Sequence, residues 1–344
     1  MNARSIWRPV ATGLLVFWVL VGCDQEKQEA AAGDTDAVRV VPMDVAGLLI
    51  NGLTADIVTE PCTLSGGTET QCYRITAKAV PADHSTGPWC PRAVTEDAAH
   101  GGVWPDGGRL YDVDGTFVAD LPVFYDDPDW HLVEDDGTIR ITDTKDACEA
   151  AARPDVDPSW YNSCVECQPE WFAGEVQVTY VVPVSPVVAA TTLPVRAAMV
   201  IGLALNGVNF DPPAPTDAIL AAHTLAPFDD CGGHVNPHTG YHYHEALGCS
   251  TAIEQRDGHA PQIGYALDGI GLYALAGSDG TVPEDLDACR GHSDAVRGYH
   301  YHVAAAGANQ VIGCFRGEFG CSFEGDGAGE TCDASQPVFP PRGG

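Results

Sequence analysis

The sequence predicts a mainly β protein, a β-sandwich or barrel-like fold with few short helices and an internally duplicated His-rich unit, on three observations. Short apolar runs alternate, as in "EVQVTYVV", where Val176, Val178, Tyr180 and Val182 mark one face of a strand. Glycine, proline and aspartate interrupt such runs at short intervals, the punctuation of sheets joined by turns. Finally, "GGHVNPHTGYHYHEALGC" (232–249) returns 58 residues later as "RGHSDAVRGYHYHVAA" (290–305), so one unit is written twice.

The N-terminus bears on what the thirteen cysteines do. Arg4 and Arg8 flank the start of an apolar run, Val10 to Val21, of signal-peptide length and too short to span a bilayer comfortably. The run ends in Leu20-Val21-Gly22-Cys23, which looks like the lipobox of bacterial lipoproteins. Residues 1–22 then read as a lipoprotein signal peptide and Cys23 as the lipidated residue; the alternative is an ordinary signal peptide with a chance cysteine. Residues 23–40 read as a flexible acidic tether, with Asp24 resembling the inner-membrane retention signal of enteric bacteria. These features predict an exported, membrane-anchored lipoprotein, periplasmic or at the cell surface, whose partner is the membrane through its lipid. Setting Cys23 aside leaves an even set of cysteines, expected as disulfides rather than catalytic thiols. The formal charge of −31 argues against nucleic acid as a partner.

Residues 41–190 are expected to form an N-terminal β-rich part. Within it "RITAKAV", "TFVADLPVF", "TIRIT" and "EVQVTYVV" predict strands in that order. "TDTKDACEAAARP" predicts a helix capped by Asp143 or Thr144, with Pro154 beyond its end. Cys62 and Cys72 flank the turn-rich "TLSGGTETQ" and suit a disulfide across a hairpin. "VVPVSPVVAATTLPV" reads as a proline-rich connection into the duplicated domain, 191–320, and residues 321–344 as a Cys/Gly/Pro-rich tail. In the duplicated domain "IGLALNGV" (201–208) matches "IGYALDGI" (263–270), "DDCGGH" matches "DACRGH", and each unit closes in Gly-Cys. Cys231–Cys249 and Cys289–Cys314 are the expected disulfides, because each pair brackets the His-rich strand of its own repeat.

Over about Val80 to Phe319 the chain resembles the YHYH domain proteins, exported bacterial and animal proteins named for the tetrapeptide. The resemblance rests on "HVNPHTGYHYH", "IGYALDGIGLYAL", "LDACRGH" before "GYHYHV", "GCFRG" and, more weakly, "VPADHSTGP". It names a domain without naming a reaction. The chain departs from the family pattern where "AAAGANQV" replaces an aromatic segment and where Cys90 is added.

Strand periodicity puts His242 and His244 on one face and Tyr241 and Tyr243 on the other, and likewise His300 and His302 against Tyr299 and Tyr301. Two imidazoles so placed can share one metal ion, with His234 or His292 returning across a glycine hinge as a third ligand; the bland alternative is histidines that satisfy buried polar groups. Imidazole clusters do not suit Ca²⁺ or Mg²⁺, and the shortage of Met and free thiolate does not suit Cu(I), which leaves a transition-metal cofactor, copper or zinc. If the repeats pack about a two-fold axis with their His strands adjacent, all six histidines converge on one shared centre. Asp268 and Asn206 occupy matched places and either orient a ligating imidazole from behind or serve a turn. Asp83 and His84, in a segment matched to the family, are candidates for a further ligand or a base.

Other motifs carry less. Cys164-x-x-Cys167 lacks the context of a redox pair, "GDGAG" near Gly325 opens no helix, the acidic runs lack full calcium-loop spacing, and neither His-Glu-x-x-His nor Gly-x-Ser-x-Gly is present. The sequence thus predicts an exported, lipid-anchored metal-binding protein. The alternatives are a metal-dependent extracellular oxidoreductase or hydrolase, and a non-catalytic interaction module.

Overall fold

The computed structural model of the chain describes residues 38–48, 52–172, 176–197 and 199–336. Cys23, the expected signal peptide and most of the tether lie outside the described residues, as do residues 337–344 of the expected tail.

Strands β1 (Val58–Thr63) and β2 (Glu69–Lys78) form an antiparallel hairpin closed by the Cys62–Cys72 disulfide. A short ribbon follows, β3 (Val103–Asp106) with β4 (Arg109–Asp112). "TFVADLPVF" is not the expected strand but two short helices, α1 (Gly115–Ala119) and α2 (Leu121–Phe124). The cause is local: the Asp114 carboxylate caps α1 by accepting the Phe117 N–H at 2.7 Å, and Pro122 has no N–H to give to a sheet. "TIRIT" likewise makes only isolated bridges, among them Val133 with Ile139 and Ile141 with Cys164. Helix α3 (Lys145–Ala151) forms where expected, with Thr144 as its cap.

Beyond it run β5 (Gln177–Pro183) and β6 (Val188–Pro194), so most of the expected proline-rich connection lies in strands. The first repeat supplies β7 (Gly202–Ala204), β8 (Asn209–Phe210), α4 (Thr216–Ala221), β9 (Gly233–Asn236) and β10 (Gly240–Tyr243). The second supplies β11 (Gln262–Ala266), β12 (Gly271–Tyr273), β13 (Gly291–Asp294) and β14 (Gly298–His302), after which come β15 (Cys314–Gly317) and β16 (Cys321–Glu324).

The architecture is a sandwich, not a closed barrel. A four-stranded sheet, β1-β2-β5-β16, packs on an open eight-stranded sheet, β13-β14-β12-β11-β7-β8-β10-β9. Ile75, Ala77, Val178, Tyr180 and Val182 of the first sheet share one apolar core with Phe210, Leu272, Tyr241, Tyr243 and Tyr301 of the second. The Tyr180 hydroxyl crosses the layers to donate to the Gly207 carbonyl at 3.1 Å. Residues from both 41–190 and 191–320 therefore build the same core. The other face of β5 is buried too: Val181 joins Cys62, Leu64, Cys72 and Cys332 in a second cluster, which is why this strand reads as nearly continuously apolar.

The pairing inside the large sheet fixes where the repeats stand. At its centre β7 and β11 pair antiparallel, with Leu203 opposite Tyr265, Gly202 opposite Ala266 and Ala204 opposite Gly264. Leu203 and Tyr265 are equivalent positions of the two repeats, so a local two-fold axis normal to the sheet passes between them. Each half then runs outward in the same order: central strand, short partner, His strand, edge strand.

Twelve cysteines form six disulfides: Cys62–Cys72, Cys90–Cys164, Cys148–Cys167, Cys231–Cys249, Cys289–Cys314 and Cys321–Cys332. Cys164 and Cys167 thus pair with different partners, as structural cysteines do. Cys90 ties its segment to Cys164 across 74 residues. In the chain-entropy account such cross-links each contribute roughly 2–4 kcal/mol.

Candidate metal centres

Each His strand is one arm of a hairpin with the Gly-His strand before it, and three local devices shape both copies. Asp229 and Asp287 accept the N–H groups of Cys231 and Gly233, and of Cys289 and Gly291, holding the entry turn. Asn236 and Asp294 accept N–H groups two and three residues ahead and close the hairpin. The glycine before each tetrapeptide, Gly240 (φ 66°) or Gly298 (φ 63°), sits in the left-handed region. A Cβ there would lie 2.5 Å from the Ala79 side chain or the Arg39 carbonyl oxygen, which explains Gly-Tyr-His-Tyr-His in place of the tetrapeptide alone.

The tyrosines face the core and are anchored there. Tyr241 donates to Asp229 and Tyr299 to Asp287, while Tyr301 donates to Asp268 at 2.6 Å and Tyr243 accepts from Asn206 at 3.0 Å. Asn206 and Asp268 therefore do not stand behind the imidazoles. Both accept an N–H two residues on, from Val208 and Ile270, and both meet a tyrosine on the opposite face of the sheet. Asp83 and His84 join that face as well: His84 Nδ1 is 2.8 Å from Asp83, His84 Nε2 is 3.3 Å from the Tyr243 hydroxyl, and Asp83 accepts from Asn206. None of these four reaches the imidazole clusters. Asp229 and Asp287 went unrecognised in the sequence, although their matched place before each Cys-x-Gly-His was visible there.

The histidines gather on the opposite face in two groups. In centre A, His242 lies opposite His234 in the ladder; His242 Nε2 is 3.1 Å from His244 Nε2, which is 3.1 Å from His234 Nε2. In centre B, His300 lies opposite His292, and His300 Nε2 is 3.0 Å from His292 Nε2 and 2.9 Å from His259 Nε2. His302 completes this group, whose ligand atoms all lie within 4.8 Å of one another, as do those of centre A.

The ring tautomers are set from behind. Nδ1 of His242 and of His300 lies 2.9 Å from the carbonyl of its own hinge glycine. His244 turns Nδ1 to Pro212 O, His302 to Ala274 O and His259 to Ala260 O, and His292 Nδ1 lies 2.7 Å from Asp285. A carbonyl only accepts, so these Nδ1 atoms carry the proton and Nε2 presents a lone pair. Lone pairs facing one another at about 3 Å repel unless a cation lies between them, and His302 Nε2 is buried with no hydrogen-bond partner at all. Zinc–imidazole bonds of about 2.0–2.1 Å place tetrahedral ligand atoms roughly 3.3 Å apart, close to the observed spacing.

Burial disfavours the charged form of five of these rings. It pushes His234 and His300 down to about 3 and His302 to about 4, with neighbouring imidazoles adding to the effect, and it lowers His244 and His259 in the same direction. Neutral imidazole is the metal-binding form.

The single shared centre expected from six converging histidines does not form. Strands β8, β7, β11 and β12 stand between the two His strands. Five interstrand steps of about 4.8 Å separate the groups by roughly 24 Å. The two-fold axis exists, but it runs through β7 and β11 and sends the equivalent His strands outward. His259 was not foreseen: it lies in the loop before β11, and the matching position of the first repeat is Ala197.

The chain is thus a disulfide-stapled β-sandwich with two imidazole clusters, each of which could hold a metal ion. Residues 179–284 match the family described as YHYH protein, a span that takes in the first His strand and β11 of the second repeat. No curated protein and no solved structure matches. The matched span is a YHYH-family domain.

Proposed function

We propose that the protein captures transition-metal dications, Cu(II) or Zn²⁺, one per repeat, as a lipoprotein anchored outside the cytoplasm. The observation that carries the metal reading is the pair of clusters of Nε2 atoms facing one another, with Nδ1 of His242, His244, His259, His292, His300 and His302 each engaged by a carbonyl or carboxylate oxygen. At centre A, burial favours capture over catalysis, since His242 and His244 are 1 % and 5 % exposed. Among the described residues the two groups consist of histidines alone, a donor set that suits Cu(II) or Zn²⁺ better than soft Cu(I). The membrane reading rests on Leu20-Val21-Gly22-Cys23, and the extracytoplasmic one on that segment together with the six disulfides.

Two experiments test the proposal. Competition titration of metal-free protein with Cu(II) and Zn²⁺ against chromogenic chelators should give tight uptake of one or both ions; uptake no tighter than that of a disulfide-rich protein without histidine clusters contradicts it. Changing Cys23 to Ser should move the protein from the membrane fraction to the soluble one, and unchanged partitioning removes the lipid anchor from the reading.

A further inference from the structure

The two centres are not copies of one another, because the position that completes each is filled differently. Register equates Asp211 with Tyr273: His242 and Tyr243 pair with Asn209 and Phe210, while Tyr301 and His302 pair with Leu272 and Tyr273. In the second repeat Tyr273 packs its ring 5.0 Å from those of His300 and His259, and the fourth nitrogen comes from His259. In the first repeat the corresponding strand carries a carboxylate. Asp211 follows directly on β8, its N–H donates to the Tyr243 carbonyl, and alternation from Asn209 places it on the histidine face. Its Oδ1 accepts from Asn209 Nδ2 at 2.6 Å, and its Oδ2 lies 4.0 Å from His242 Nε2.

Charge gives a reason for the difference. Centre A is the more buried of the two, with His242, His244 and Asp211 1 %, 5 % and 8 % exposed and His234 alone partly buried. A dication held there by three neutral imidazoles would stay buried at full charge, which is costly in a low-dielectric interior. Centre B is half open, as His259 and His292 are only partly buried, and Asp285 sits on His292 Nδ1 at its rim. Solvent and that carboxylate can offset the ion's charge from outside.

On the footing that both clusters bind metal, we infer that Asp211 is the fourth ligand of centre A. The protein then holds one three-imidazole, one-carboxylate site and one four-imidazole site. Coordination requires Oδ2 to close from 4.0 Å from His242 Nε2 to the roughly 3.3 Å that separates ligand atoms around a tetrahedral dication. The oxygen donor shifts centre A toward harder ions such as Zn²⁺, whereas the all-nitrogen set of centre B suits Cu(II).

The test uses the full chain and the metal ions alone. Electron paramagnetic resonance of the protein loaded with two equivalents of Cu(II) should resolve two species, one with four nitrogen donors and one with mixed nitrogen and oxygen donors. Asp211→Asn should abolish the mixed-donor species and weaken one of two Zn²⁺ affinities by about tenfold or more, leaving the four-nitrogen signal intact as an internal check on folding. Asp211→His should regain the lost affinity and give two four-nitrogen species. Wild-type spectra and affinities in Asp211→Asn, or a loss that Asp211→His does not restore, overturn the assignment while leaving metal capture standing. Failure of the parent protein to take up either ion overturns both.

Discussion

Leu203 and Tyr265 face each other across the middle of the eight-stranded sheet, and each is the other's counterpart in the duplication. This pairing fixes the molecule's internal symmetry and makes the two imidazole groups distant neighbours on one face. Register carries that face outward from His242 through Asn209, Leu203, Tyr265 and Gly271, and two residues along β12 from Gly271 it reaches Tyr273 opposite His302.

Independence of the centres follows. With no residue in common and about 24 Å between them, each should lose its ion alone. His242→Ala and His300→Ala should each reduce bound metal by one ion per chain, and the double variant by two. Complete loss in either single variant would restore the idea of one shared centre.

Acid should weaken the metal-free fold through its buried imidazoles. His234, His300 and His302 have folded values of about 3, 3 and 4, below the ordinary 6.5, so as pH falls below about 6.5 the unfolded chain takes up protons that the folded one refuses. Their contribution is present above 6.5 and is lost progressively down to about 3. Burial raises the carboxyls of Asp229, Asp268 and Glu245, and these bend the profile the other way. Denaturant midpoints of chelator-treated protein should therefore fall between pH 7.5 and 5, and fall less in His300→Asn. Equal slopes in the two proteins contradict the assignment of neutral rings.

On the tyrosine face, the two repeats should differ in how strongly they depend on a hydroxyl. Tyr301 donates to a fully buried carboxylate, Asp268, while Tyr243 meets the neutral amide of Asn206. Tyr301→Phe should cost about 1–3 kcal/mol, and Tyr243→Phe less, in equilibrium denaturation. A larger cost at Tyr243 would assign the greater structural role to the Asp83-His84 contact instead.

Much of this was written in the chain where local rules decide. Two-residue periodicity separated the imidazoles of His242, His244, His300 and His302 from the tyrosines, because a strand offers no other arrangement. Bracketing of the His strands by Cys231 and Cys249, and by Cys289 and Cys314, marked the disulfides. What stayed hidden depended on strand order or on residues outside the repeat alignment. Nothing in either copy says that β7 and β11 meet at the centre, so the His strands could be imagined adjacent when they lie near opposite edges. His259 has no histidine counterpart, and Asp211 aligns with a tyrosine, so looking for matched residues passed over both. "TFVADLPVF" misled because its apolar residues suit either period, and the Asp114 cap decided for helix.

The account stands most directly on the number of metal ions per chain. Protein produced without an affinity tag, loaded with Zn²⁺ or Cu(II), freed of excess ion and measured by inductively coupled plasma mass spectrometry against amino-acid analysis should contain two ions per chain. A single ion per chain, lost completely in either His242→Ala or His300→Ala, would contradict the separate centres, and no retained metal would contradict the reading of both clusters as metal sites.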